Sequence, residues 1–462
     1  MKVLLVVYDN DSFIHWFPLG LGYVASALRD AGHEVTVYSQ DKFHYPESHL
    51  QAYLNENRFD VVGVSIVAGY YQYRKLLQIS EAINGSSQRP FYVIGGHGPA
   101  PEPEYFLKKT GADAVVIGEG EITAVNLLEA LEKKRDLATV KGIAFLQNGR
   151  GVVTEPQELI ADIDTIAFPA WDLFPMEYYT LLRMPHIQNK DRCGVMLTGR
   201  GCPFKCNFCY RMDEGIRVRS PENIVLEIKA LKQKYGITYI AFADELTMAS
   251  KARTKKLCEA FIQADLNIRW TCNGRLNFAT PEILQLLKKA GCVFINYGIE
   301  CMDNEILKVM NKSLTVRQIV EGIEETLAAG ISPGFNIIFG NIGENAETLQ
   351  KGVDFLLKYD DHSQLRTIRP VTPYPGSPLY YYAIEKRLLK DCEDFYERKH
   401  VNSDLLSVNF TSVSDDEFHR LLFDANETLL ENYFKHQLEK AIDAARKLYV
   451  DKDAGFRGFR QT

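Results

Sequence analysis

The sequence predicts an α/β protein with a flavodoxin-like or Rossmann-like domain first, a partial (β/α)6 barrel second and a helical C-terminal region last. Short apolar runs rich in β-branched residues alternate with helical segments in residues 1–140 and again in 192–385. Such alternation produces parallel sheets covered by helices. Four prolines punctuate residues 141–191, which predicts a linker, and the charged, helical segment 386–462 predicts a C-terminal tail.

In the N-terminal domain, five runs are typical of buried strands: 3–7, 34–38, 61–67, 91–94 and 114–117. Helical periodicity lies between them. Five strands in so short a segment match the size of a single wound sheet. Ligands of such sheets bind at the carboxyl ends of the strands. We therefore expect a binding edge formed by loops 8–22, 68–71, 95–99 and 118–121.

The second half of the chain shows the same alternation of strands and helices. Six further strands are predicted at 195–197, 239–242, 268–272, 294–297, 336–339 and 367–371. Ser220 and Pro221 are typical of a helix start, because serine caps the first turn and proline suits the first helical position. About six strand–helix units are enough for a partial or complete parallel barrel.

Composition excludes several classes of protein. Apolar residues make up 46% and charged residues 24%, as in ordinary globular chains. The net charge of −7 argues against a large nucleic-acid surface. We find no apolar run near the roughly 18 residues of a membrane helix, and the run at 1–7 is too short for a signal peptide. We therefore expect a cytoplasmic protein without a membrane span.

The strongest motif is C-x3-C-x2-C at Cys202, Cys206 and Cys209. It follows directly on a predicted strand, with glycine and proline beside it. Three thiolates on an iron–sulfur cubane leave one iron open to a small molecule. A zinc site would need a fourth ligand close by, and Cys193 lies across the strand. The remaining alternative is three core cysteines in a loop.

The motif and the segments behind it resemble the radical SAM superfamily, with Phe208 at the usual aromatic position. The resemblance implies a [4Fe-4S] cluster on the three cysteines, with S-adenosylmethionine (SAM) on the open iron. One-electron reduction, from a donor such as flavodoxin or ferredoxin, would cleave SAM to a 5′-deoxyadenosyl radical. Besides Phe208, it implies SAM contacts at the strand ends from Asp244, Glu245, Arg275, Glu300 and Gly340.

Two positions depart from the family pattern: Cys301 replaces a serine, and Ile342 replaces a proline. Residues 373–378 match the closing T-P-x-P-G-[ST]-P segment. All nine cysteines lie at or after Cys193, and only Cys392 lies beyond Cys301. The second clusters of two sister families therefore have no counterpart here. We expect one cluster, and core positions for Cys258, Cys272, Cys292 and Cys301.

The glycine-rich loops of the first domain resemble the cobalamin-binding half of B12-dependent radical SAM proteins. Glycine lets backbone approach a bulky ligand closely. No histidine fits D-x-H-x-x-G, although His15 and His97 lie at the correct edge. The resemblance therefore implies cobalamin without a histidine on cobalt. The implied contacts are Pro18, Leu19, Gly20, Ser65, Gly95, Gly96, His97, Gly118, Glu119 and Gly120.

The resemblance implies a cobalamin-dependent C-methyltransferase. One SAM would methylate cob(I)alamin, and a second would yield the radical that takes hydrogen from an unactivated carbon. Methylcobalamin would then give its methyl group to a small-molecule or peptide substrate. One alternative is a radical oxidation or ring closure, as in the anaerobic magnesium-protoporphyrin ester cyclases. Another is a non-catalytic or sensory cobalamin-binding protein.

Overall fold

The structure is a computed structural model and describes residues 1–12 and 14–455. Seven strands form the N-terminal sheet: β1 (Lys2–Val7), β2 (Glu34–Ser39), β3 (Val61–Ser65), β4 (Phe91–Gly95), β5 (Ala114–Val116), β6 (Ile143–Gln147) and β7 (Arg150–Val153). Their order is β2-β1-β3-β4-β5-β6-β7, and the first five are parallel. This is the flavodoxin-like order, with its switch point between β1 and β3.

Six helices cover this sheet: α1 (Leu19–Asp30), α2 (Gln40–Phe43), α3 (Glu47–Glu56), α4 (Tyr70–Asn84), α5 (Pro103–Thr110) and α6 (Gly120–Glu132). The helices alternate with the five parallel strands, as the periodicity predicts. Both faces of the sheet are consequently buried, and its open part is the carboxyl edge.

The sheet extends further along the chain than the sequence suggested. Strands β6 and β7 add an antiparallel hairpin to β5, so the first part of the expected linker 141–191 belongs to the sheet. Asn148 and Gly149 join the two strands, and both have positive φ angles, of 51° and 77°. A two-residue Asn-Gly turn matches the twist of a hairpin. The connector therefore begins after Val153 and includes the short helix α7 (Met176–Tyr179).

The second sheet confirms the partial barrel. Its six parallel strands are β8 (Cys193–Met196), β11 (Tyr239–Phe242), β12 (Arg269–Gly274), β13 (Cys292–Glu300), β14 (Ser332–Phe339) and β15 (Arg369–Pro370), in that order. A short antiparallel pair, β9 (Gly199–Arg200) and β10 (Arg217–Val218), brackets the cysteine segment. The helices between are α8 (Pro221–Tyr235), α9 (Lys251–Gln263), α10 (Pro281–Lys289), α11 (Asn304–Val309), α12 (Val316–Ala328) and α13 (Ala346–Tyr359).

The C-terminal region packs on both domains. It contains α14 (Pro378–Glu385), α15 (Cys392–Asp394) and α16 (Asp415–Tyr449). Tyr396 stacks on Tyr73 of the first domain, with 4.5 Å between ring centroids. Phe418 of α16 stacks on Phe339 of the barrel at 4.8 Å. Across the described residues, we find no helix with the length and apolar character needed to cross a membrane.

Candidate functional site

The three cysteines of the motif lie on one irregular loop between β9 and β10. Cys206 is buried, and Cys202 and Cys209 are half-buried. Asn207, inside the motif, anchors the loop. Its side-chain amide exchanges two hydrogen bonds of 3.0 Å with that of Asn341. Its backbone N–H donates to the Met310 carbonyl at 2.9 Å, and its carbonyl accepts from the N–H of Leu379 at 2.8 Å. The loop is thus fixed from three sides.

Two buried cations flank the thiols. The Arg275 guanidinium lies 3.5 Å from the ring centroid of Phe204, on the cysteine loop. It donates to the carbonyls of Lys312 and Ser313. The Lys312 ammonium lies 5.8 Å from the centroid of the Phe208 ring. Burial lowers the pKa of Lys312, but the Glu300 carboxylate and the Cys206 thiolate outweigh burial and raise the pKa overall.

This donor set fits a cluster held by three thiolates, because such a cluster carries negative charge that buried cations can balance. Within residues 1–12 and 14–455, no three His, Cys, Asp or Glu side chains come close enough to hold a single ion. A cubane spreads its cysteine ligands more widely than one ion does. Cys258, Cys272, Cys292 and Cys301 are all buried in strands, helices or their ends, as expected.

The two carboxylates after β11 have different environments. Asp244 is 2% exposed, and its two oxygens accept hydrogen bonds from the N–H and the hydroxyl of Thr198. Burial raises the pKa of Asp244 to about 6. Its side chain therefore joins the end of β8 to β11, and both of its oxygens accept hydrogen bonds within the protein. Glu245 is exposed and accepts one bond from the N–H of Gly201 at 3.2 Å.

Gly340 likewise has its amide engaged within the protein. Its N–H donates to Oε2 of Glu344 at 2.8 Å. Its φ is +104°, and a Cβ there would lie 2.7 Å from the Phe418 ring. The close approach of α16 thus accounts for this glycine. Four of the expected SAM residues lie at the cysteine loop: Phe208, Glu245, Arg275 and Glu300.

Lys312 and Asn207 were missed by the sequence reasoning. Lys312 pairs with Glu300 beside the cysteine loop, yet a lone lysine in a loop has no spacing signature. Asn207 lies between two cysteines of the motif, which is a usable signal for loop anchoring. Its partner Asn341 lies in the glycine-rich turn after β14.

The carboxyl edge of the first sheet carries exposed apolar side chains. Trp16 follows β1 and is 37% exposed, and Val67 follows β3 and is 50% exposed. Gly96 has a φ of +91°, and a Cβ there would clash with the Ile66 carbonyl oxygen and lie 2.8 Å from Oγ of Ser65. These features fit a broad ligand such as a corrin ring at the switch point.

Most of the expected cobalamin residues lie at this edge. Pro18 caps α1, which begins with Leu19 and Gly20. Gly95 ends β4, and Gly118 follows β5 with a φ of +84°. Around Gly20 and Gly118, no atom lies within 4 Å of an added Cβ.

Two expected cobalamin residues have other contacts. The Glu119 carboxylate binds Arg200 at 2.5 Å and Arg217 at 2.8 Å, so it faces the barrel. Gly120 begins α6, and a Cβ there would lie 2.7 Å from Val24 of α1. Its glycine therefore permits the close packing of these two helices. The Glu119 side chain is thus engaged by the barrel domain.

The two candidate sites face each other. His97, in the loop after β4, is edge-on to Tyr210 with 6.0 Å between ring centroids. Tyr210 directly follows Cys209. Burial lowers the pKa of His97. The nearby Glu245 and Asp213 carboxylates act to raise it, but burial has the larger effect. The cobalamin edge and the cysteine loop thus border the same space.

Comparison with known proteins agrees with this division. The family models that match describe the Radical SAM superfamily, at residues 196–356, and a B12 binding domain, at residues 6–128. The chain is 31% identical to an uncharacterised methyltransferase of Pyrococcus horikoshii over 84% of each protein. It is 28% identical to the anaerobic magnesium-protoporphyrin IX monomethyl ester cyclase of Rubrivivax gelatinosus, over 82% of this chain and 69% of that one.

Among solved structures, the radical S-adenosylmethionine methyltransferase TsrM of Kitasatospora setae, with cobalamin and a [4Fe-4S] cluster bound, has the same fold. The TM-score is 0.72 at 20% identity, covering 92% of this chain and 88% of TsrM. The cofactors that go with these two domains are the [4Fe-4S] cluster, SAM and cobalamin. The chain therefore belongs to the cobalamin-binding radical SAM family and is an enzyme of that family.

Proposed function

We propose that the protein is a C-methyltransferase that acts on an unactivated carbon. The observation that carries this proposal is the contact between the two candidate sites, where His97 lies against Tyr210 beside Cys209. When bound, the cluster and SAM supply a hydrogen-abstracting radical, and cobalamin supplies the methyl group. A substrate between the two sheet edges would be within reach of both. The likeness to the Pyrococcus methyltransferase supports this function.

The residues of the site would have separate roles. Cys202, Cys206 and Cys209 hold the cluster. Glu245, the exposed carboxylate after β11, is suited to the ammonium group of SAM, because charge-assisted hydrogen bonds are strong. Arg275 and Lys312 balance the negative charge around the thiols. Asp244 holds the strand ends in place and acts only through them.

A second candidate function is radical oxidation or ring closure. The likeness to the Rubrivivax cyclase, over most of this chain, supports it. Both functions need the same two sheet edges, and they differ in whether a methyl group reaches the substrate. In either case we propose a small-molecule or peptide substrate, a flavodoxin or ferredoxin as electron donor, and a cytoplasmic location.

The two functions separate in an isotope experiment. Extract from cells lacking the gene is incubated anaerobically with the reconstituted protein, reductant and SAM labelled with CD3. Methyl transfer predicts a metabolite or peptide that gains an intact CD3 group. An unlabelled product that has lost hydrogen favours ring closure instead. The Cys206→Ala protein is the matched control, and product in its presence would exclude this site as the source.

A further inference from the structure

One carboxylate connects the two domains at both ends of the cysteine segment. Glu119 accepts a hydrogen bond from Arg200 at 2.5 Å through Oε1 and one from Arg217 at 2.8 Å through Oε2. Arg200 also donates to Glu121 at 2.6 Å, and Arg217 to Asp213 at 2.5 Å. All five side chains are at most 15% exposed.

The network lies where the cobalamin-side loop of the first domain meets the cysteine segment of the second. Glu119 lies between β5 and α6, in a loop at the cobalamin edge of the first sheet. Arg200 ends β9, two residues before Cys202, and Arg217 begins β10 after the last cysteine. The strands that open and close the cysteine segment are therefore both fastened to one residue of the other domain.

The network is strong enough to hold this geometry. Burial favours the neutral acid, yet the hydrogen bonds from Arg217, the Ile160 N–H and Arg200 together outweigh burial and hold the pKa of Glu119 below its ordinary value. Charge-assisted bonds to arginine are directional as well as strong. Removing one partner of a buried pair leaves an uncompensated charge, which is costly. A second buried pair, Arg219 and Glu227 at 2.5 Å, lies wholly within the barrel domain.

We propose that Glu119 is a positioning residue that fastens the cysteine segment to the cobalamin-side loop and so sets the separation of the two cofactors. This inference rests on the proposed function, because it needs both cofactors in one chain. In this role the Glu119 carboxylate aligns the two sites and does not contact cobalamin. Methyl transfer between two separately bound groups depends on such alignment, since small displacements reduce the rate strongly.

The test uses the full-length protein loaded with cluster and cob(II)alamin. The spin coupling between the reduced cluster and cob(II)alamin reports the distribution of their separations. We expect Glu119→Gln to widen this distribution while both cofactors stay bound. Glu227→Gln breaks the buried pair inside the barrel and serves as the matched control. It should lower the unfolding temperature and leave the distribution as in the wild type.

The outcomes separate this inference from the proposed function. Equal distributions in Glu119→Gln and wild type, with both cofactors bound, would overturn the positioning role and leave the proposed function intact. A wild-type protein that holds the cluster and binds no cobalamin would overturn the proposed function and this inference with it. If Glu119→Gln gives no folded protein, Arg217→Lys is measured with the same two outcomes. Lysine keeps the positive charge but lacks the planar guanidinium that binds Glu119 and Asp213 together.

Discussion

Lys312 donates a hydrogen bond from Nζ to Oε1 of Glu300 at 2.8 Å, and the two side chains are only 9% and 10% exposed. Glu300 ends β13 with a φ of +70°, which is unusual for a residue with a side chain. Strained backbone of this kind persists where surrounding contacts hold it. The buried pair therefore keeps the end of β13 in place next to the cysteine loop.

Breaking this pair should destabilise the fold. We expect Lys312→Met to lower the free energy of unfolding by about 3–5 kcal/mol, because it leaves a buried carboxylate without its partner. Urea denaturation of the cluster-free protein measures this. Lys308→Met, whose side chain is 72% exposed, is the control and should change stability by less than about 1 kcal/mol. Equal effects of the two substitutions would contradict a structural role for the pair.

The cluster ligands are tested by iron content. Wild-type protein reconstituted anaerobically should bind about four irons, as one cubane requires. Cys202→Ala, Cys206→Ala and Cys209→Ala should each lose the cluster and SAM cleavage together. Cys258→Ala and Cys292→Ala replace buried thiols elsewhere and should retain both. Iron lost from these two variants and kept in the first three would overturn the assignment.

We propose that Arg275, which lies against the cysteine loop, binds SAM. We expect Arg275→Ala to weaken SAM binding by about 10- to 150-fold, corresponding to roughly 1.5–3 kcal/mol for a charge-assisted hydrogen bond. Equilibrium binding to the cluster-loaded protein measures this. Arg275→Lys keeps the charge and loses the planar contact with Phe204, so an intermediate affinity is expected. Unchanged affinity in Arg275→Ala would remove Arg275 from the site.

Glu344 should make stability depend on pH. Burial raises the pKa of its folded-state carboxyl from 4.5 to about 7. Between these values the folded protein keeps a proton that the unfolded chain has released. Stability is therefore highest below the unfolded-state pKa and falls as the pH rises toward about 7, by about 3 kcal/mol in all.

Urea unfolding at several pH values across this window measures the slope. Glu344→Gln should flatten it, because the amide oxygen still accepts from the N–H groups of Gly340 and Asn341 without titrating. Glu347→Gln, whose side chain is 78% exposed, should keep the wild-type slope. A wild-type slope in the Glu344→Gln protein would show that another group is responsible.

The lower face of cobalt is expected to lack nitrogen. Bound cob(II)alamin should show no nitrogen triplet in its electron paramagnetic resonance spectrum, because no histidine fits the usual ligand motif. His15→Ala and His97→Ala should leave the spectrum unchanged. A triplet that disappears in either variant would identify that histidine as a ligand.

Local signals predicted much of the fold. The helix expected from Ser220 and Pro221 begins at Pro221, with Oγ of Ser220 accepting from the N–H of Asn223. The apolar periodicity of a strand or a helix involves only residues that are close in sequence, so it can be recognised in a single sequence. The hairpin at Asn148 and Gly149 also had a local signal, which the prolines after it obscured.

Tertiary contacts explain what could not be predicted. The hydrogen bonds from Thr198 to Asp244 join residues that lie far apart in sequence, so no local pattern predicts them. Glu119 has the sequence context of a binding loop, but its partners Arg200 and Arg217 come from the other domain. The importance of Lys312 likewise follows from burial beside Glu300. Such pairings depend on the relative positions of the two sheets, which a local sequence pattern does not indicate.

We propose that one chain brings SAM-derived radical chemistry and cobalamin-borne methyl transfer together. The most direct test supplies CD3-labelled SAM to anaerobic protein loaded with cluster and cob(I)alamin. Mass spectrometry then analyses the protein-bound corrinoid and the released nucleosides under reducing conditions. We expect both a corrinoid that carries the intact CD3 group and 5′-deoxyadenosine. Formation of 5′-deoxyadenosine on an intact cluster, without any labelled corrinoid, would contradict it.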